Sequence, residues 1–378
     1  MVLSDRIRQT HQPTPLQALL CLPALFCMLA ISLNGCSGRL PPAAPLPVLH
    51  APGLVRLDAF ARLQASTFNQ QVYSLVAYNP VGTSGATHLL ILAGSLYDAP
   101  LDASAPIRTI QGPSCDLLGG IDETSGEVLC QQEPGADVLA FHPDTATTTW
   151  LGQPLVSGAT WEDQYTYPAW GPNGRKFAAV HTHVQQQDTA QDLIHTYSSQ
   201  QGNSQDIAIF AVDSTLTNVQ QLATLTLPQL PSLPQQSSFV IRWLSWSPDG
   251  KWLTFGDGNM TATYGIQIAP LLPRHPKPGG DPLRVTLQSN QVTKLLNQRA
   301  IGQAWQPGGD NLAYMDGGRL TVMNMATGQS RTLLAIPDGR LCSLTWTPEG
   351  KRLIFALCRD APVESAPAAA QIYIYTLP

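Results

Sequence analysis

Charge is scarce in this chain of 378 residues. Only 12% of them are Asp, Glu, Lys or Arg, and the formal net charge is −5. Lys and Arg are scattered and form no basic stripe, which argues against a nucleic-acid partner. Long apolar runs are equally scarce: beyond residue 35 nothing resembles a membrane span. The nucleophile elbow Gly-x-Ser-x-Gly is missing, as is any Gly-rich phosphate loop placed after a strand. No cofactor is expected, and no local motif marks a catalytic centre. Cysteine is sparse too, with seven in the chain, three of them at or before Cys36. No pair of the other four has the short spacing of a zinc site, so no metal site is expected.

What the chain does have is a repeat. Trp, then Pro two residues on, then Gly two further, occurs at Trp170 to Gly174, Trp246 to Gly250, Trp305 to Gly309 and Trp346 to Gly350. Seven and nine residues after each Trp the chain is apolar: Phe177 and Ala179, Leu253 and Phe255, Leu312 and Tyr314, Leu353 and Phe355. Pro followed by a small or acidic residue and Gly makes a tight turn, and alternating apolar residues on either side make a β-hairpin. Further alternating runs complete each unit. The third strand is expected in Ile207–Val212, in Ile266–Leu271 or Leu283–Leu287, in Leu320–Met325 and in Ile372–Leu377. The fourth is expected in Gln291–Leu296 and Gln329–Leu334.

The last two Trp residues lie 41 positions apart, which is the roughly 40–45-residue period of a propeller blade. The wider intervals read as one blade plus insertions. Residues 115–155 read as a blade without its Trp, with a turn at Glu123 to Gly126. Residues 54–112 hold more strand-like runs, at Val72–Tyr78 and His88–Ala93. The fold expected is all-β: a β-propeller of four-stranded antiparallel blades, six by the best count, with five or seven also fitting the weaker signals. The last blade runs out of chain at its third strand. A segment near Leu54–Phe60 is the expected fourth, which would close the ring.

The string Trp246-Ser247-Pro248-Asp249-Gly250-Lys251, with Leu253 and Phe255, resembles the repeat of TolB-type β-propellers, within the broader WD-repeat-like group. The resemblance is close over residues 165–378 and weaker over 54–160. It implies the fold and carries no catalytic residue.

The N-terminus points to a compartment. Arg6 and Arg8 precede a mostly apolar run, Leu16 to Leu33, and then comes Leu33-Asn34-Gly35-Cys36. This is a secretory signal, and its ending resembles the lipoprotein signal of bacteria, which implies that Cys36 becomes the first residue and carries lipid. The expected domains are a signal peptide at 1–35, a Pro- and Ala-rich tether at 36–53, and the propeller at 54–378. An extracytoplasmic location in the cell envelope favours disulfides. Cys342 and Cys358 flank the last hairpin symmetrically, and Cys115 and Cys130 flank that of the degenerate blade, so two local bridges are expected.

His181 and His183 share a strand face, with Asp188, Asp192 and His195 downstream. A strand end running into a polar loop explains them without a metal. The four Trp residues could stack on sugars, but their recurrence at one structural position is explained by packing between blades. The loops joining second to third strands differ sharply in length: 184–205, 256–265 with an extension to Pro282 through Arg274-His275-Pro276-Lys277-Pro278, 315–319 and 357–371. Loops on one face of a rigid scaffold often carry binding. The expected function is a binding or interaction module in the cell envelope, with a protein partner, while a small-molecule or glycan ligand fits as well. The alternative is a glycan-acting lyase or hydrolase with its site in the channel. Carboxylates and His converging at the channel would favour the enzyme, and apolar and amide groups the binder.

Overall fold

The computed structural model describes residues 48–377 except 58–73, 81–85, 103, 123, 133–137, 146, 152–162, 184–203, 214, 217, 229–240, 258–261, 273–280, 297–299, 317, 337–339 and 359–369. The signal, Cys36 and most of the tether lie outside the described residues.

Strand β1 (Leu54–Arg56) comes first in the chain and joins the last sheet. The first blade is β2 (Ser74–Tyr78), β3 (His88–Leu92), β4 (Leu96–Pro100) and β5 (Arg108–Thr109). The second is β6 (Leu117–Ile121), β7 (Val128–Gln131), β8 (Val138–Phe141) and β9 (Thr148–Trp150). The third holds β10 (Asp163–Trp170), β11 (Lys176–His183), β12 (Ser204–Val212) and β13 (Val219–Thr226). The fourth holds β14 (Ile241–Trp246), β15 (Trp252–Asp257), β16 (Thr263–Gln267) and β18 (Val292–Leu296), with β17 (Leu283–Thr286) looping out of it. The fifth is β19 (Ala300–Trp305), β20 (Asn311–Asp316), β21 (Arg319–Asn324) and β22 (Ser330–Ala335). The sixth is β23 (Arg340–Trp346), β24 (Arg352–Cys358) and β25 (Ala370–Thr376). Its fourth strand is β1, antiparallel to β25 with Leu54 opposite Tyr375 and Arg56 opposite Tyr373. The chain is a six-bladed β-propeller closed by its own two ends.

One blade departs from the four-stranded pattern. Strand β17 does not join the fourth blade, whose third strand is β16, but lies parallel to β13 as a fifth strand on the third blade. Leu283-Arg284-Val285-Thr286 alternates like any strand, and alternation says nothing about which sheet a strand joins. The extension to Pro282 is likewise corrected. It falls after β16, in the connection from third to fourth strand, so the loop from second to third strand in this blade is only residues 258–262.

Each turn is built as its sequence dictates. Ser247 N–H donates to the Trp252 carbonyl (2.9 Å) and Gly250 N–H to the Ser247 carbonyl (2.9 Å). The Ser247 hydroxyl donates to Asp249 (2.6 Å) and accepts from Trp252 N–H (2.9 Å). Gly350 has φ of 68°, and a Cβ there would stand 2.9 Å from the Pro307 carbonyl oxygen of the neighbouring blade, so only glycine fits. In the copy at Trp305 the positive φ moves one residue earlier, to Gly308 rather than Gly309.

The core lies between blades. The second strand of a blade is buried on both faces, and its alternation divides it between two seams. Phe177 and Ala179 pack toward the second blade, Ala178 and Val180 toward the fourth. Leu353, Phe355 and Leu357 pack toward the fifth blade, Ile354 and Ala356 toward the first. The residues seven and nine after each Trp therefore share the Trp's own face, the one turned to the preceding blade. The seam between the fourth and fifth blades is the thinnest among the described residues. Its apolar cluster is Leu296 and Tyr314, with Leu295 and Met323 against them, and Trp305 and Leu312 are also buried on that face.

The indoles reach across these seams. Trp170 Nε1 donates to the Glu127 carbonyl (3.1 Å), Trp346 Nε1 to the Ala304 carbonyl (3.0 Å), and Trp305 Nε1 to Thr254 Oγ1 (3.2 Å). Thr254 passes the contact on, donating to the Ser245 carbonyl (3.1 Å). Trp246 Nε1 is buried with no partner among the described residues. The register explains this: Thr254 pairs with Ser245 beside Trp246, and the matching residue facing Trp246 from the third blade is Ala178, which has no hydroxyl.

Replacing Thr254 by Val should therefore lower stability by about 1–3 kcal/mol, because a buried indole N–H loses its acceptor in the thinnest seam. Ala178→Ser should raise it by about 1 kcal/mol by giving Trp246 one. Chemical denaturation of both variants checks the pair.

Candidate functional site

The first strand of every blade lines the axis of the ring. Together β2, β6, β10, β14, β19 and β23 enclose a cavity of about 480 Å³. It reaches the turn prolines Pro172, Pro248, Pro307 and Pro348. It thus lies at the end of the channel where the Trp-x-Pro-x-Gly turns are. The loops from second to third strands leave the opposite ends of their strands, so the expectation that those loops mark the site is not matched by where the cavity is. The longest of them, residues 184–203 and 359–369, lie outside the described residues.

The lining strands are not regular. Five of the six carry a register break at the axis: between Leu118 and Ile121, Thr166 and Ala169, Arg242 and Ser245, Ala300 and Gln303, and Leu341 and Ser343. Bulges re-aim side chains and recur beside binding sites. At the matching position, three residues before the Trp, three blades adopt left-handed backbone: Tyr167 (φ 50°), Trp243 (φ 50°) and Gly302 (φ 76°). Glycine takes this conformation freely. For Tyr and Trp it costs about 1–2 kcal/mol each.

Neighbouring blades hold these strained positions. Tyr167 N–H donates to Gln131 Oε1 (2.8 Å), and the Trp243 carbonyl accepts from Gln303 Nε2 (2.7 Å). The two rings meet edge to face across the seam, with centroids 6.2 Å apart. Both line the cavity and are half-buried.

The electrostatic character of the cavity is neutral and polar. Ser74, Ser245, Ser343, Thr345 and Gln303 contribute hydroxyl and amide groups, and among the described residues no Lys, Arg, His or Glu lines it. The one acid in the lining, Asp122, is committed to its turn. It accepts from Thr124 N–H (3.0 Å), Ser125 N–H (3.1 Å) and the Ser125 hydroxyl (2.6 Å). A general acid and base need two titratable groups facing one substrate atom, and the described lining brings no such pair together.

The residues singled out in the sequence distribute as follows. Trp170, Trp246, Trp305 and Trp346 are buried and form part of the cavity wall as well as the seams. Cys115 and Cys130 are joined in a disulfide within the second blade, with Cα atoms 5.6 Å apart. Cys342 lies on the cavity wall and is also disulfide-bonded, while the side chain of Cys358 lies outside the described residues. His181 is buried and stacks on Tyr165, with centroids 4.6 Å apart. The His183 side chain, Asp188, Asp192 and His195 are outside the described residues. Among the described residues no three His, Cys, Asp or Glu side chains gather as a metal site would require.

Sequence reasoning missed one ionic cluster. Asp98, buried to 1% exposure, accepts from Tyr78 Oη (3.0 Å) and Arg108 Nε (2.7 Å) and bonds His88 Nδ1 (2.9 Å). Arg108 then reaches Asp144 of the second blade (2.7 Å). Burial first, and then the Asp98 carboxylate, raise the Tyr78 hydroxyl above its usual range, so it remains a donor. Burial opposes the Arg108 charge, but its bonds to Asp98 and Asp144 keep it raised. None of these groups lines the cavity. They clamp the seam where Ile121 stands in the Trp position and no indole is available.

No protein-family model matches the chain, and no curated protein does. Solved structures of similar architecture exist. A protein described as TolB from Agrobacterium tumefaciens is 15% identical, covering 82% of this chain and 91% of its own, with a TM-score of 0.43. The β-propeller domain of Cps50 (Swd1) from Myceliophteria thermophila is 12% identical over 82% of this chain and 83% of its own, with a TM-score of 0.44. A chain of a nidogen/laminin complex is 13% identical over 70% and 80%, with a TM-score of 0.41.

Three substitutions separate the roles of these elements. Gly302→Ala should cost about 1–2 kcal/mol from backbone strain alone, because a Cβ there meets only side-chain atoms at 3.7 Å or beyond. Asp98→Asn should cost about 2–4 kcal/mol by breaking a buried network, and Asp144→Asn less than about 1 kcal/mol at its more exposed end. Urea midpoints give all three.

Proposed function

We propose that this chain is a lipid-anchored, extracytoplasmic binding module of the bacterial cell envelope, which uses the propeller to hold another envelope component, most readily a protein. The observation that carries the reading is the chemistry of the axial cavity. Its described lining offers aromatic rings, hydroxyls and amides on rigid strands, and its single carboxylate is occupied by its own turn. That is the composition of a binding pocket, and it counts against a glycan hydrolase of the two-carboxylate kind, which needs two carboxyl groups flanking one bond.

The anchor reading rests on the sequence Leu33-Asn34-Gly35-Cys36 after an apolar run. Leu49, thirteen positions after Cys36, already donates its N–H to Tyr373 Oη (3.2 Å), so the tether is short. Two measurements test the proposal. Cys36→Ala should move the protein from the membrane fraction to the soluble one, and retention in the membrane would count against lipidation. Cross-linking and capture of the detergent-solubilised protein should recover a stable envelope partner. Cleavage of an envelope polymer by the purified protein, with no partner recovered, would overturn the binding reading.

A further inference from the structure

Tyr167 and Trp243 share one structural position in adjacent blades, and the same position in the next blade is Gly302. The backbone conformation at this bulge is one that glycine satisfies freely. In two blades the chain nevertheless places its largest aromatic side chains there, on the wall of the axial cavity, and fixes them with amides from the neighbouring blades. Strained residues held by their surroundings cluster at ligand sites. Neither Tyr167 Oη nor Trp243 Nε1 has a hydrogen-bond partner among the described residues, and neither atom is sealed from solvent. Both donors therefore remain available to a ligand beside the two rings.

The cavity selects by what it lacks. A charged ligand would lose its water with no opposite charge to meet it, since Lys, Arg, His and Glu are absent from the described lining and Asp122 is bonded within its turn. A wholly apolar ligand would leave the wall hydroxyls and the Gln303 amide unmatched. The class that fits has polarised C–H groups for the negative faces of aromatic rings and hydroxyls for the remaining donors and acceptors. The volume of about 480 Å³ lies within the ~300–1,000 Å³ of small-ligand pockets.

We infer that the axial cavity binds a neutral saccharide of one or two sugar units, with Tyr167 and Trp243 as its stacking and hydrogen-bonding wall. This deepens the binding-module reading and rests on it. It also fails separately: a protein partner can be captured whether or not a sugar enters the cavity.

Calorimetric titration of the full-length protein in detergent with cellobiose, maltose and N,N′-diacetylchitobiose tests it. At least one should bind saturably, with glucosamine and glucuronic acid at least tenfold weaker. Trp243→Gly should weaken binding at least tenfold. Its melting temperature should stay within a few degrees of the parent, because glycine relieves the left-handed strain. Tyr167→Phe, which keeps the ring and removes the hydroxyl, should weaken binding several-fold and serves as the second variant if the first does not fold. The inference is overturned if none of the three sugars binds, if Trp243→Gly and Tyr167→Phe bind as the parent does, or if a charged sugar, a nucleoside or an uncharged peptide binds more tightly.

Discussion

Everything in this molecule depends on hydrogen bonds that run from the side chain of one blade to the backbone or side chain of the next. A ring of sheets packed face to face has no centre to collapse on, so each seam must be held separately, and closure requires all of them at once. Between the first and second blades Ser74 donates to the Leu118 carbonyl (3.4 Å) and Arg108 meets Asp144. Gln131 accepts from Tyr167 at the next seam, and Gln205 from Ile241 (2.6 Å) at the one after. Gln303 and Trp305 reach the fourth blade, and Trp346 the fifth. The last seam closes with Leu75 N–H donating to Ser343 Oγ (2.9 Å). The apolar clusters supply bulk at these seams and the polar contacts fix the angle. Where the apolar cluster is thinnest, between the fourth and fifth blades, the stitching uses both a glutamine and an indole relay.

How much of this was legible depended on whether the signal was local. Hairpins were, because turn chemistry and alternation sit within a dozen residues. The repeat also carried more than its hairpin: Trp, and the residues seven and nine beyond it, mark the face each blade turns to its predecessor. Even the closing role of the segment near Leu54 followed, since a missing fourth strand had to be found somewhere. Features set by tertiary neighbours were not legible. Nothing in Leu283 to Thr286 says that it pairs with β13, about 60 residues back. The contacts of Asp98 are scattered over strands 10 to 20 residues away, and Arg108 extends them another 36. The bulges have no sequence mark except the glycines at Gly119-Gly120 and Gly302. At Tyr167 and Trp243 the residue type argues against the conformation actually adopted.

That last mismatch is also where the candidate site lies. The cavity wall is the part of the fold least like an ideal sheet, with breaks in five of its six strands. Loop length, the guide that sequence offers, pointed to the opposite end of the channel. Local consistency between residue and backbone holds through the seams and breaks at the axis, which is the expected distribution when scaffold and site are separate demands on one chain.

The closing strand has a mechanical consequence. Strand β1 is joined to β25 through only three residue pairs, and the chain leading into it enters the ring there. Tension applied to that leader would travel along β1, loading its cross-strand bonds together in shear, since antiparallel bonds lie across the strand axis. Two side chains bracket the strand and share the load: Leu49 on one side sits in the seam of the fifth and sixth blades, and Leu57 on the other sits in that of the sixth and first. Force at the leader is thus spread over both flanks of one blade. A protein tethered by this end would be held through the strand that closes its ring, with anchoring side chains in the seams on both sides of that blade.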